Sequence, residues 1–235
     1  MRVRRVITTR DGGASRAPYD SFNLGDHVGD ESAAVGTNRA RLTSELGLGA
    51  DRVVWMEQVH GRTASVVSGP RSGPVPATDA LVTAQPGLAV AALVADCVPV
   101  LLADPVAGVV AAAHAGRVGA RVGVVPAALA AMRTAGAELA RVEALLGPSI
   151  CGACYEVPAE MRDDVEARLP GSGCTTRNGS PGLDLRAGLW HELTAAGVAK
   201  IGVDPRCTLE ERSLFSHRRE GTTGRFAAVT WVEAA

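Results

Sequence analysis

The chain has 235 residues, enough to bury a sizeable core in one large domain or two small ones. With 24 basic and 25 acidic residues, a formal net charge of −1 and only 3% aromatics, it lacks the broad basic face and the stacking platforms that nucleic acids require. The most apolar stretch, residues 88–103, is broken by Asp96, Cys97 and Pro99 and does not read as a bilayer span. No apolar segment follows the charges of residues 1–5, so a soluble, cytoplasmic protein without a membrane partner is expected. Five cysteines, an odd number, point to thiols or metal ligands rather than a disulfide framework.

In chain order, residues 3–9 read as a strand and 11–30, rich in Gly, Asp, Asn and Ser, as a loop. Ala34, Val35, Asn38, Leu42 and Leu46 share one face of a helix over 31–46, stopped by Gly47. Residues 52–59 and 63–68 read as strands, and 68–76 as a surface loop. The runs 88–94, 98–103 and 108–113 are apolar without alternation, as suits strands buried on both faces. A helix follows over 117–134, weakened early by Gly119, Gly123 and Pro126. Residues 142–146 read as a buried strand, 158–169 as a helix, 170–181 as a loop and 183–196 as a helix ended by Gly197. Residues 201–204 and 226–232 close the chain as strands. The alternation predicts an α/β (mixed α+β) fold with layered sheets flanked by helices, in a single domain over 1–235.

Three residues with soft or borderline donor atoms stand at the ends of apolar runs beside small neighbours. His60 follows residues 53–59, Cys97 follows 88–94, and His114 follows 109–113 and precedes Ala115 and Gly116. Two imidazoles and a thiolate suit zinc and leave a fourth position open, the catalytic pattern. The spacing also fits two buried histidines and a small core cysteine, or a metal-free nucleophile in which Cys97 works with His114 and Asp96 orients the imidazole. Cys151 and Cys154 form a C-x-x-C pair suited to packing, with a metal or redox role conceivable; Cys174 and Cys207 stand alone.

Several short segments, taken together, are familiar: residues 9–15, 22–25 with 28–30, Asn38-Arg39, 58–61, Thr78-Asp79-Ala80, 95–99, 113–116, 147–149, Cys154-Tyr155-Glu156, Cys207-Thr208 and 215–225. In this order they span nearly the whole chain. The sequence resembles the YfiH-like family, also called laccase-domain or polyphenol-oxidase-like. The resemblance implies a CNF-toxin/YfiH-like fold and zinc held by His60, Cys97 and His114. It also implies phosphorolysis of adenosine, inosine and methylthioadenosine, with adenosine deamination besides. The implied partners are a nucleoside and phosphate. The chain departs from the family pattern at Arg117, where Trp is common, and at His217, where Tyr is common.

For those activities, Asn23, Arg117, Arg218, Arg219 and Arg225 are candidate substrate or phosphate contacts, and Asp96 or Glu57 a candidate proton carrier. Alternatives are a cysteine hydrolase or amidase editing a peptidoglycan precursor, and a copper-dependent polyphenol oxidase. Copper can outcompete zinc at such donors, but five histidines are too few for a multicopper cluster beside other roles.

Overall fold

The computed structural model describes residues 1–198 and 200–234. Two sheets form its centre. One runs β11 (Lys200–Val203), β8 (Glu143–Leu146), β6 (Val98–Asp104), β7 (Val109–Ala115), β4 (Ala80–Thr83), β3 (Ala64–Val66); the other runs β1 (Val3–Ile7), β12 (Phe226–Val232), β5 (Ala89–Val94), β2 (Val53–Val54). Strands β5, β6, β7 and β12 are buried at every position, which is why their sequences show no alternation. They nevertheless pair antiparallel, β6 with β7 and β8, and β12 with β1 and β5.

The pleat sends successive side chains to opposite faces. Val100 and Leu102 meet helices α3 (Val124–Thr134) and α5 (Leu185–Ala195) through Val124, Leu129, Met132 and Leu189. Leu101 and Ala103 meet the second sheet at Val54, Val90, Ala92 and Ala228. The far face of that sheet is covered by Phe22 and Leu24 of the N-terminal loop and by Leu42 of α1 (Ser32–Glu45). Helices, sheet, sheet, then helix and loop are the layers. Alanines at the facing positions let the two sheets approach closely, so the core needs few aromatics.

The structure departs from the sequence reading at four places. The 52–59 strand shrinks to β2, because Trp55 and Glu57 pair their backbones with Val75 and Thr78 and steer the chain off the sheet towards His60. β4 was absent from the sequence reading: four residues are too short for a period, and burial hides the alternation. The 117–134 helix splits into α2 (Arg117–Arg121) and α3, since Gly123 takes φ +85°, a conformation glycine adopts without penalty. Where a loop was expected over 170–181, β9 (Gly173–Thr175) and β10 (Pro181–Leu183) form a hairpin that runs two residues past it, and α4 (Ala159–Glu166) packs on it.

Glu192 of α5 is out of place in this packing. Burial pushes its carboxyl up to about 7, and Oε2 has no hydrogen-bond partner. The folded state therefore favours the neutral acid. The cost of ionising it grows as pH rises from the unfolded carboxyl range through 7. Glu192→Gln is expected to raise the melting temperature by ~2 °C or more at pH 8 and to leave it nearly unchanged at pH 5. Thermal unfolding at the two pH values checks this; equal shifts at both would contradict it.

Candidate metal centre

Asp79, immediately before β4, is fully buried. Its Oδ1 accepts from the backbone N–H of His60 at 3.0 Å, and its Oδ2 from those of Val59 and Gly61 at 3.2 and 2.7 Å. That net of donors holds His60 at φ +58°, a left-handed conformation uncommon for a residue with a side chain. Oδ1 also lies 2.9 Å from His114 Nδ1. One carboxylate thus sets two ring positions. With Nδ1–H donated to Asp79, Nε2 of His114 is the nitrogen free to act as a ligand.

His114 lies in β7, opposite Pro99 of β6. Cys97 stands at the turn from β5 to β6, where Asp96 takes φ +88°. The turn is locked because Asp96 accepts from the hydroxyls of Thr208 (2.6 Å) and Ser216 (2.7 Å) and from the backbone N–H of Arg218 (2.6 Å). The rings of His60 and His114 meet edge to face, 4.7 Å apart.

His60, Cys97 and His114 each bring one donor atom within 4.8 Å of the others. A tetrahedral ion with bonds of about 2.0–2.3 Å spans donors about 3.3–3.8 Å apart, so small side-chain shifts close the set. Electrostatics agree with the donor chemistry. Burial works to raise the Cys97 thiol, but the His114 and His60 imidazoles beside it bring it down. Burial likewise works against charge on His114, yet Cys97 and Asp79 raise it. Asp79 is held below the ordinary carboxylate range, because His114 and the Gly61 N–H outweigh its burial. A thiolate is therefore available to an ion.

Two cavities meet at Cys97 and His217. One, of about 150 Å³, is lined by Asp96, Cys97, Arg117, Tyr155, His217 and Arg218. The other, of about 270 Å³, is lined by His27, Gln58, His60, His114, His217 and Arg225 among others. Arg218 lies 5.0 Å over the Tyr155 ring and donates to the Glu156 carbonyl. His217 Nδ1 lies 2.6 Å from the Gly221 carbonyl, which leaves Nε2 without that bond.

The fold brings Arg117, Arg218, Arg225 and Asp96 to these cavities, but not every residue singled out in the sequence. Asn23 is fully buried behind Arg225. Its Oδ1 accepts from the backbone N–H groups of Gly25 and Arg225, while its amide donates to Asp30 and Gly25. Arg219 turns inward and donates to the carbonyls of Thr208, Leu209, Glu211 and Leu214, so it is a loop anchor. Glu57 lines neither cavity; its Oε2 accepts from the Ala77 N–H. The orienting carboxylate for His114 is Asp79, not Asp96, whose oxygens are engaged elsewhere.

Sequence reasoning gave Asp79, Tyr155 and His27 no role. The first two stood in short segments of the resemblance, which was the available signal for both.

The chain matches the family model described as multi-copper polyphenol oxidoreductase laccase over residues 4–233. A purine nucleoside phosphorylase of Mycobacterium tuberculosis is 57% identical over 233 residues, covering 99% of this chain and 93% of that one. One of Corynebacterium glutamicum is also 57% identical, covering 98% and 94%. Among solved structures, Bacillus licheniformis hypothetical protein YfiH superposes with a TM-score of 0.92 at 33% identity, covering 98% and 93%. YlmD of Geobacillus stearothermophilus superposes with a TM-score of 0.92 at 35% identity, covering 99% and 92%. The protein belongs to this YfiH-like, laccase-domain family, and its relatives carry the name purine nucleoside phosphorylase.

Two substitutions test how the centre is built. Asp79→Asn keeps the shape but loses the anionic acceptor, and is expected to weaken metal affinity about 10–100-fold. A methyl group on Gly116 would lie 2.8 Å from His60 Cδ2 and 3.0 Å from Cys97 Sγ. Gly116→Ala is therefore expected to lower metal affinity by pushing these two ligands apart, with the far-ultraviolet circular dichroism unchanged. Competition titrations against a metal-binding dye measure both; wild-type affinity in either variant would contradict this geometry.

Proposed function

We propose that the protein is a zinc-dependent, cytoplasmic purine nucleoside phosphorylase acting on adenosine, inosine and methylthioadenosine. Its relatives' name and the arrangement of the two cavities support this reading. The observation that carries it is the placement of Arg117 and Arg218 in one cavity and of His60 and His114 in the adjoining one, with Cys97 between. A phosphate held by two guanidinium groups then lies beside a nucleoside held at the histidine-lined side.

His60, Cys97 and His114 would hold the ion, and the nitrogen and sulfur donor set suits zinc. When bound, it supplies a fixed positive charge and a Lewis acid beside the substrate. The remaining work belongs to side chains. Arg117 and Arg218 bind phosphate and orient one oxygen towards the anomeric carbon of the ribose. The new C–O bond forms as the glycosidic C–N bond breaks, and the electron pair leaves with the purine. His217, at the junction of both cavities, is placed to take a proton from dihydrogen phosphate at Nε2 and pass it to the departing base, while Nδ1–H stays on the Gly221 carbonyl. The products are a free purine and ribose 1-phosphate, or 5-methylthioribose 1-phosphate from methylthioadenosine.

Adenosine deamination is a second proposal for the same site. It requires a carboxylate to move protons. Asp96 is the carboxylate lining the cavity, and it already accepts three hydrogen bonds. Phosphorolysis asks for no such group. The donor set would also accept one copper ion, but His60 and His114 are the two histidines grouped for metal binding among the described residues. That falls short of the several imidazoles a multicopper oxidase needs.

Incubating the zinc-loaded protein with each nucleoside and phosphate should release adenine from adenosine and methylthioadenosine, and hypoxanthine from inosine, each with the corresponding sugar 1-phosphate. Arg218→Ala should raise KM for phosphate about tenfold or more, the effect of losing one charge-assisted contact, and leave zinc content unchanged. Zinc-loaded protein that releases no base in a phosphate-dependent way would overturn the proposal.

A further inference from the structure

A second group of donors lies away from the His60 centre. Cys151, Cys154, Cys207 and Glu210 each offer one atom, and all four atoms lie within 4.8 Å of one another. In sequence Cys207 stands alone; the fold closes the C-x-x-C pair from the other end of the chain. Cys151 and Cys154 occupy the turn after β8. Cys207 and Glu210 occupy the turn between β11 and α6 (His217–Glu220).

The backbone fixes these thiols where they stand. Ser149 bridges Cys207, and Thr208 N–H donates to the Ser149 carbonyl at 3.1 Å. Cys151 N–H points at Cys207 Sγ, 3.4 Å away. Cys154 and Glu210 face a separate cavity of about 180 Å³. There the Arg177 guanidinium pairs with Glu210 and lies 3.1 Å from Cys154 Sγ. A cation is thus already drawn to the oxygen and sulfur atoms of this group.

We propose that Cys151, Cys154, Cys207 and Glu210 form a second metal site that takes one thiophilic divalent cation of the zinc class. Three sulfurs and one carboxylate oxygen select a soft ion over magnesium or calcium. A tetrahedral ion wants sulfurs about 3.8 Å apart, so the four donors need to contract by about 1 Å at most. Four protein ligands leave no open position, and none of the four lines the cavities beside Cys97. The site is structural.

Its effect is to staple the turn carrying Thr208 to the turn carrying Tyr155. Thr208 holds Asp96, and Tyr155 walls the cavity that holds Arg117 and Arg218. A disulfide within the group would use two sulfurs and leave the third without a partner; an ion uses all three.

The test separates the two centres. His60→Ala/Cys97→Ala removes the first one and leaves the second intact. Reduced protein is loaded with zinc, desalted and assayed for metal. Wild-type protein should hold two equivalents and the double variant one, and adding Cys154→Ser should leave none. Cobalt(II) titration of the double variant, in which all four proposed ligands are unchanged, should produce the near-ultraviolet sulfur-to-cobalt charge-transfer absorption with an intensity expected for three thiolates. Intact mass of the same variant reports its thiol state. A double variant that binds no zinc and shows no such band would overturn the proposal. So would loss of two hydrogens in the reduced sample, which marks a disulfide instead.

Discussion

The whole arrangement depends on one buried carboxylate. Asp79 is without solvent, so each of its lone pairs must find a donor inside the protein. It finds three in the 59–61 turn and one on His114. The same bonds that make its burial tolerable force His60 into a left-handed conformation and fix which nitrogen of His114 is free. Strain at His60 and the choice of tautomer at His114 are thereby two consequences of one charge. Gly116 completes the constraint from the other side, because only a residue without a side chain lets His60 and Cys97 close over it.

The layers explain why the site lies where it does. Cys97 sits at a crossing from one sheet to the other, since β5 belongs to the four-stranded sheet and β6 to the six-stranded one. At that crossing the chain leaves the regular ladder, and Asp96 secures it by gathering donors from Thr208, Ser216 and Arg218. Those three residues come from late in the chain. Arg218, proposed to bind phosphate, is therefore tied through Asp96 to Cys97, the proposed metal ligand. A change at the 207–218 turns would be felt at both.

Much of this was legible in the sequence. Unbroken apolar runs marked β5, β6 and β7 because burial on both faces removes alternation, and Cys97 and His114 stood at their ends, with His60 after the separate 53–59 run. The helix α1 showed in its periodic face. Less visible was anything decided by pairing across the chain. Asp79 carries no local pattern; its importance comes from the N–H groups around it. His60 was expected at a strand end, but loop-to-loop hydrogen bonds at Trp55 and Glu57 pull it into a turn. Arg219 and Asn23 were read as candidate substrate or phosphate contacts, and the fold turned both inward. Cys207 seemed isolated because the distance to Cys151 along the chain says nothing of the parallel bridge at Ser149. In each case the missing information was a long-range contact rather than a propensity.

The central claim is that Asp79 presents His114 through Nδ1 so that Nε2, with His60 and Cys97, grips one ion. A crystal structure of zinc-loaded protein, with anomalous scattering measured at the zinc edge, tests it most directly. The account predicts a peak bonded to Cys97 Sγ, His60 and His114 Nε2, with the His114–Asp79 hydrogen bond preserved and one coordination position facing the cavities. A zinc-loaded crystal with no peak between these residues, or with His114 turned to coordinate through Nδ1, would contradict it.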